Sequence, residues 1–273
     1  MQHGLIIKQV LGFVRSVFPQ VPDDQLQKVK TILANRLPPL DPDAMPGVVP
    51  NVMTGRIANR FNLMGPNYIL DAACASANIA LDNAMAELQR GRSRMMLAGA
   101  VNITTSVLVY VVFCIIAALS RRGRIRPFDA EADGTLLGEG AGIVVLKRLE
   151  DARADGDRIY AVIKGVGVSS DGRGKGFLAP RLEGEVLAIQ RAYQDAGWDP
   201  DTVGLLEAHG TGIPLGDRTE IEALHQVMGR RKKGVPPCAL GSVKSMIGHT
   251  ISAAGMAGLM KAVLALHHKV LPP

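Results

Sequence analysis

The chain has 273 residues, 47% hydrophobic and only 4% aromatic, with a formal net charge of +6. That supports a sizeable core of aliphatic and small side chains and excludes a disordered chain. Its three cysteines, Cys74, Cys114 and Cys238, are too few and too widely spaced for a disulfide framework or a zinc ribbon, and they fit a reduced, cytoplasmic setting.

Residues 1–45 read as a helical, Pro-rich lead-in. Leu5, Ile6, Val10, Val14 and Val17 recur at loose helical spacing, and residues 24–33 give a second helical piece. Pro38, Pro39, Pro42 and Pro46 then stop regular structure. The opening residues do not follow the order of a signal peptide. Residues 51–63 predict a short helix ending near Gly65 and Pro66. Residues 68–70 read as a strand that feeds the segment 71–76. A helix follows, with Ala77, Ala80, Leu81, Ala84 and Leu88 on one side and Gly91 as its stop.

Residues 95–98 give another short strand. The stretch 97–119 carries no charge, but Gly99, Asn102, Thr104, Thr105 and Ser106 interrupt it. Its purely apolar part is too short to span a membrane, so a strand, a turn and a buried helix are expected. Arg121, Arg122, Arg124 and Arg126 form one basic cluster, and Arg230, Arg231, Lys232 and Lys233 another. Neither comes with a recognition helix or a zinc finger, so both read as solvated surface rather than a nucleic-acid site.

Further strands are expected at 143–146 and 159–168, separated by an exposed charged connection at 147–156. A helix over 183–196, a strand at 205–208, a helix over 218–228, a strand beginning at Ala239 and a last helix over 250–267 complete the pattern. Ala254, Gly255 and Gly258 give the last helix a small-residue face suited to close burial. This alternation argues for an α/β class and leaves parallel and mixed sheets both open.

Three side chains stand out chemically. Cys74 sits at the expected strand-to-helix junction among small neighbours, where helix N–H groups would favour its thiolate. A buried structural cysteine is the competing reading of that segment. His209 follows a strand and precedes Gly210 and Gly212, a setting that points a ring into a cleft or merely completes a turn. His249 precedes the last helix, whose positive end would favour the neutral imidazole, suited to hydrogen-bond donation. One thiolate and two such histidines can divide the labour of a condensation, with the sulfur carrying an acyl group and the rings stabilising an enolate oxygen. A Cys-His hydrolase is the chemical rival. Asp217 and Glu220 lie near His209 without a metal-ligand pattern. Gly165, Gly167 and the run 172–176 match neither a Walker segment nor a dinucleotide fingerprint.

Four ordered motifs go further: DAACASA at 71–77, RPFDAEADGTLLGEGAG at 126–142, EAHGTGIPLGD at 207–217 and KSMIGHTISAAG at 244–255. With these the chain resembles the beta-ketoacyl synthase family, in particular the ketosynthase domains of type I polyketide synthases and related fatty-acid synthases. The resemblance implies a thiolase-like layered α/β fold with mixed sheets, present as an incomplete copy. Residues 1–45 would be the lead-in and 46–273 a partial ketosynthase domain. It implies a 3-oxoacyl-[acyl-carrier-protein] synthase, with Cys74 as acyl-accepting nucleophile and His209 and His249 serving malonyl decarboxylation and condensation. Lys244 would support the second histidine and Glu220 would pair with that lysine.

The resemblance further implies a homodimer working with an acyl carrier protein. No cofactor would be bound directly, since substrates ride on the carrier's phosphopantetheine. The basic charge balance suits an acidic carrier. The chain departs from the family pattern at Ile213, where a threonine is usual, and in DAACASA, where many relatives have a Thr-Ala-Cys-Ser-Ser type. The early sheet region is not recognisable before residue 45, and the late glycine-rich loop with its phenylalanine is absent. An inactive ketosynthase fragment and a chain-length-modifying relative are therefore the alternatives. Cys74 argues against a purely decarboxylating variant.

Overall fold

The structure, a computed structural model, describes residues 2–36, 42–47, 49–103, 106–174, 176 and 179–272. Pro38, Pro39, Thr104, Thr105 and Lys175 lie outside the described residues. The chain forms two compact units, Met1–Ile69 and Leu70–Pro273.

The first unit is helical. α1 (Gln2–Val17) and α2 (Asp23–Arg36) pack together, with Arg15 and Asp23 in ion contact across the turn. Asp23 and Asp24 suit the positive start of α2. Pro42 and Pro46 fall within a 3-10 turn, Pro42–Gly47. α3 (Asn51–Phe61) ends at Asn62, which takes the left-handed conformation (φ 52°) that asparagine tolerates at helix ends. Among the described residues of this unit only Ala58 is buried, so its core is thin.

The second unit holds the main core. α4 (Ser76–Gln89) buries Ala77, Leu81, Ala84 and Leu88, one helical stripe. That stripe packs against β1 (Met95–Asn102), which α5 (Val107–Ile115) follows. β1 pairs antiparallel with β2 (Gly140–Lys147), Met95 opposite Lys147 and Asn102 opposite Gly140. Met96, Ala98 and Ala100 of β1 and Val144 and Leu146 of β2 face the core. Met95, Leu97, Val101, Ile143 and Val145 face out and are exposed, the period of two expected of a strand.

After β2 come α6 (Leu149–Ala154), α7 (Leu182–Ala196), β3 (Leu205–Glu207), α8 (Pro214–Met228) and β4 (Ala239–Gly241). β3 and β4 are parallel, with Glu207 opposite Gly241, and α7 packs on α8. The single turn α9 (Lys244–Ile247) and a 3-10 turn, Ile251–Ala253, lead into α10 (Ala254–His268). α10 reaches α4, β2 and β3, and its Met256 is fully buried in the core with Ala77, Leu81, Ala84 and Ala98.

Several expectations need correction. Residues 68–70 make no strand pairing. Residues 159–168 join no ladder among the described residues. Two of their main-chain groups turn to α7 instead: Val166 N–H donates to the Asp195 carboxylate at 2.9 Å, and Val168 O accepts from the Arg191 guanidinium at 2.6 Å. Apolar and β-branched residues favour a strand but do not supply its partner. The connection 147–156 contains α6, with Ala152 buried. The apolar helix after β1 exists, as α5, but it is not buried: Val107, Leu108 and Ile115 are 79%, 71% and 77% exposed. A run that is apolar on every side has no stripe to say which face packs. Among the described residues no helix is long and apolar enough to cross a membrane.

Candidate active site

Cys74 lies in the 3-10 turn Ala73–Ala75 that opens onto α4. No strand precedes it, so the expected strand-to-helix junction is an irregular elbow instead. Ala73 adopts φ 49°, a left-handed conformation that costs an alanine roughly 1 kcal/mol. Flanking side chains hold it there. Asp71 accepts the Ala73 N–H at 2.8 Å. The Ser76 hydroxyl accepts the Ala72 N–H at 2.9 Å and donates to Ala73 O at 2.7 Å. Asp71 and Ser76 thus close a local hydrogen-bond circuit around Ala72 and Ala73, directly before Cys74.

His209 comes two residues after β3. Its peptide is gripped on both sides. Its N–H and that of Gly210 donate to the two carboxylate oxygens of Glu220, at 2.6 and 2.8 Å. Its carbonyl accepts from Lys244 Nζ at 2.6 Å and from the Ser242 hydroxyl at 3.2 Å. Gly210 has φ 41°, and a Cβ there would stand 2.8 Å from Ser242 Cβ, so the turn takes no larger residue. Asp217, buried on α8, accepts from Gly212 N–H at 3.1 Å and Phe128 N–H at 2.8 Å, tying the motif at 126–142 to this turn.

His249 is fixed by that same motif. Its N–H donates to Leu136 O at 2.7 Å and its carbonyl accepts from Gly138 N–H at 3.0 Å. Its Nδ1 accepts the Ile251 N–H at 3.2 Å, so the neutral ring carries its proton on Nε2. Nε2 faces Cys74 Sγ at 3.0 Å, and the His209 ring lies edge-on to it, with centroids 5.4 Å apart. One ligand atom each from Cys74, His209 and His249 lie within 4.8 Å of one another. Three segments distant in sequence thus converge on one point. The cluster could chelate a metal by donor type, but it has no fourth protein ligand among those atoms, and a thiol facing neutral imidazoles can act as nucleophile and donors without an ion.

Burial pushes the His249 pKa down to about 3, helped by the charges of His209 and Lys244. His209 falls to about 4 for the same reason, with Lys244 assisting. His249 is 3% exposed, whereas His209 keeps some solvent contact. Both rings are neutral near pH 7, as expected for His249, but the main cause is burial rather than the helix end. Cys74 departs from expectation. Burial raises its thiol above the usual range, opposed by the Lys244 charge. The main-chain N–H of Cys74 also lowers it, by less than Lys244 does, and together they do not overcome the burial. Lys244, 3% exposed, is lowered by burial and opposed chiefly by Glu220. These two residues grip the His209 peptide from opposite sides, and they meet through it instead of as the direct pair the resemblance implied.

The neutral histidines give stability a direction with pH. A group whose folded pKa is depressed stabilises the fold above its unfolded value and loses that contribution as pH falls. For His249 the window runs from 6.5 down to about 3. Glu220, raised above 4.5 mainly by burial, acts in the opposite sense from 4.5 upward, inside the histidine window, and so does Glu185, raised to about 7. The urea midpoint should therefore drop most steeply below pH 4.5, where these carboxyls no longer offset the histidines. A His249→Gln chain should show a shallower slope, and an unchanged slope would mean that His249 titrates normally.

The Asp71–Ser76 circuit and the Asp217 latch escaped the sequence reading. An Asp two residues before a backbone donor was the signal for the first. The second links residues 89 positions apart and had none.

Comparison with known proteins gives the family of the chain. Family models described as the N-terminal and C-terminal domains of beta-ketoacyl synthase match residues 28–152 and 160–273. A polyunsaturated fatty acid synthase polypeptide of Thraustochytrium sp. is 44% identical over 232 residues, 84% of this chain and 8% of the relative. A 6-methylsalicylic acid synthase of Aspergillus niger is 39% identical over 272 residues, 99% of this chain and 15% of that protein. The ketosynthase from module 6 of the bacillaene synthase of Bacillus subtilis 168 superimposes with a TM-score of 0.79 at 39% identity. That match covers 82% of this chain and 40% of the other. The chain thus spans a small part of these long synthases, and the matched structures share the thiolase-like fold.

Proposed function

Because this chain belongs to the beta-ketoacyl synthase family, we propose that its site performs the decarboxylating condensation that extends an acyl chain in a polyketide or fatty-acid synthase. The observation that carries this reading is the meeting of Cys74 Sγ, His209 and His249 at one point, with both imidazoles neutral. The Cys74 thiolate attacks an acyl thioester and expels the donor thiol, and Lys244 lowers the cost of that charge. A malonyl thioester then loses its carboxylate as carbon dioxide. The electron pair left behind becomes an enolate, whose oxygen accepts hydrogen bonds from the two rings. The enolate carbon attacks the acyl carbonyl on Cys74, and the thiolate departs as the new 3-oxoacyl thioester forms.

The donor and acceptor thioesters fit a carrier protein bearing phosphopantetheine. The net charge of +6 suits an acidic partner of that kind. A homodimer and a cytoplasmic setting belong to the same reading. Hydrolysis by a Cys-His pair is disfavoured because His249 Nδ1 already accepts a backbone proton, which leaves a donor rather than a base facing the sulfur.

The test is to incubate the folded chain with an acyl thioester and map the added mass by proteolysis. The acyl group should reside on Cys74 and leave Cys114 and Cys238 free. Acylation only at those other cysteines would refute the assignment.

A further inference from the structure

Glu207 ends β3, two residues before His209, and Lys261 lies on α10. Their side chains are 7% and 12% exposed, and Lys261 Nζ stands 2.9 Å from Glu207 Oε2. That oxygen makes no directed hydrogen bond, so Lys261 meets it as a charge. The other oxygen, Oε1, accepts the Val243 N–H at 2.5 Å. Val243 directly precedes Lys244, whose ammonium holds the His209 carbonyl. α10 in turn follows the Ile251–Ala253 turn, whose first N–H fixes the ring of His249. The chain leaves room for this contact: a Cβ at Gly258 would stand 3.1 Å from Glu207 Cγ.

We propose that Glu207 and Lys261 are positioning residues, a buried ionic clamp that sets the placement of the His209 and His249 segments relative to each other. One carboxylate joins three parts of the site: the strand that delivers His209, the turn that delivers Lys244 and the helix that follows His249. A buried ion pair contributes little net stability, because desolvation offsets most of its attraction, so its use here is to fix geometry. Two rings that must address a single oxygen gain most from such fixing. Neither residue faces the sulfur, and neither takes part in proton transfer. Lys244 also senses the Glu207 charge, after those of Glu220 and Cys74, which links the clamp to the electrostatics of the site.

The effect on catalysis rests on the condensation reading, whereas the clamp itself does not, and the experiment separates the two. Lys261→Met, Lys261→Arg and the double variant Glu207→Gln/Lys261→Met are compared with the wild-type chain. Amide hydrogen exchange at Val243 reports the clamp directly. Loading of Cys74 by an acyl thioester and carbon dioxide release from a malonyl thioester report the chemistry.

In Lys261→Met, Val243 exchange should rise by about 10-fold, and carbon dioxide release should fall by about 10-fold relative to Cys74 loading. Lys261→Arg should restore both. The double variant removes both charges and keeps an acceptor for Val243. It should therefore fold and protect that amide even if Lys261→Met does not fold. Unchanged Val243 exchange and an unchanged ratio of release to loading in Lys261→Met would overturn the clamp. So would an Arg variant that behaves like Met, or a double variant that leaves Val243 as exposed to exchange as the Met variant does. If the wild-type chain loads Cys74 but releases no carbon dioxide, the condensation reading fails, and Val243 exchange across the variants still decides the clamp.

Discussion

Replacing His249 with alanine should lower carbon dioxide release from a malonyl thioester by about 10²–10³-fold, the usual cost of one well-aimed donor to a developing oxyanion. The ring has the attributes of such a donor. It is neutral and 3% exposed, and with Nδ1 occupied by the Ile251 N–H its single proton sits on Nε2. Acyl loading should fall by less. The contact at 3.0 Å lends the sulfur one hydrogen bond, and Lys244 continues to support the thiolate when that bond is gone. Release of carbon dioxide and mass gain on Cys74 are measured separately on the same preparation. His249→Gln, which restores a side-chain donor, should recover part of the release. Equal losses in both measurements would place the ring in the service of the sulfur alone.

Glu220→Ala is expected to be the most destabilising single change at the site, by about 3 kcal/mol. The carboxylate accepts two main-chain N–H groups, from His209 and Gly210, and is the chief opposing charge for Lys244. Its removal leaves two donors without partners and a buried ammonium with less compensation. Glu220→Gln keeps one amide oxygen and should recover roughly half of the loss. The midpoint of urea unfolding, with its slope unchanged, gives the number. A loss below about 1 kcal/mol would mean that water takes over both N–H groups and that the contact behaves like an exposed pair.

How much of this was legible in the chain depends on the range of the interaction involved. α4 was readable because Ala77, Leu81, Ala84 and Leu88 repeat at the helical period and all four are buried. β1, β2 and β3 were readable as short apolar segments, and in β1 and β2 the burial then alternates. Residues 159–168 misled because β-forming residues describe one strand while a ladder needs a neighbour. α5 misled because uniform hydrophobicity names no face. At the site, the motifs supplied Cys74, His209 and His249 by resemblance, and geometry then placed them within reach of one another. Lys244 and Glu220 were named together, but nothing in their spacing says that a peptide stands between them. Glu207 and Lys261 were passed over altogether, because no local pattern links residues 54 positions apart.

Ile251 holds φ 46°, a region that branched side chains seldom enter, and in that position its N–H points at His249 Nδ1. The imidazole therefore has one address for its proton, and main-chain geometry chooses it. A second proton would have to arrive on Nδ1, where it would confront the Ile251 N–H with no lone pair between them. The inexpensive relief is for Ile251 to return to an ordinary conformation, which releases the turn that introduces α10. Acid would leave the Nε2–H in place but release the turn that aims it, so the donor would lose its direction and the start of that helix would loosen in a single event.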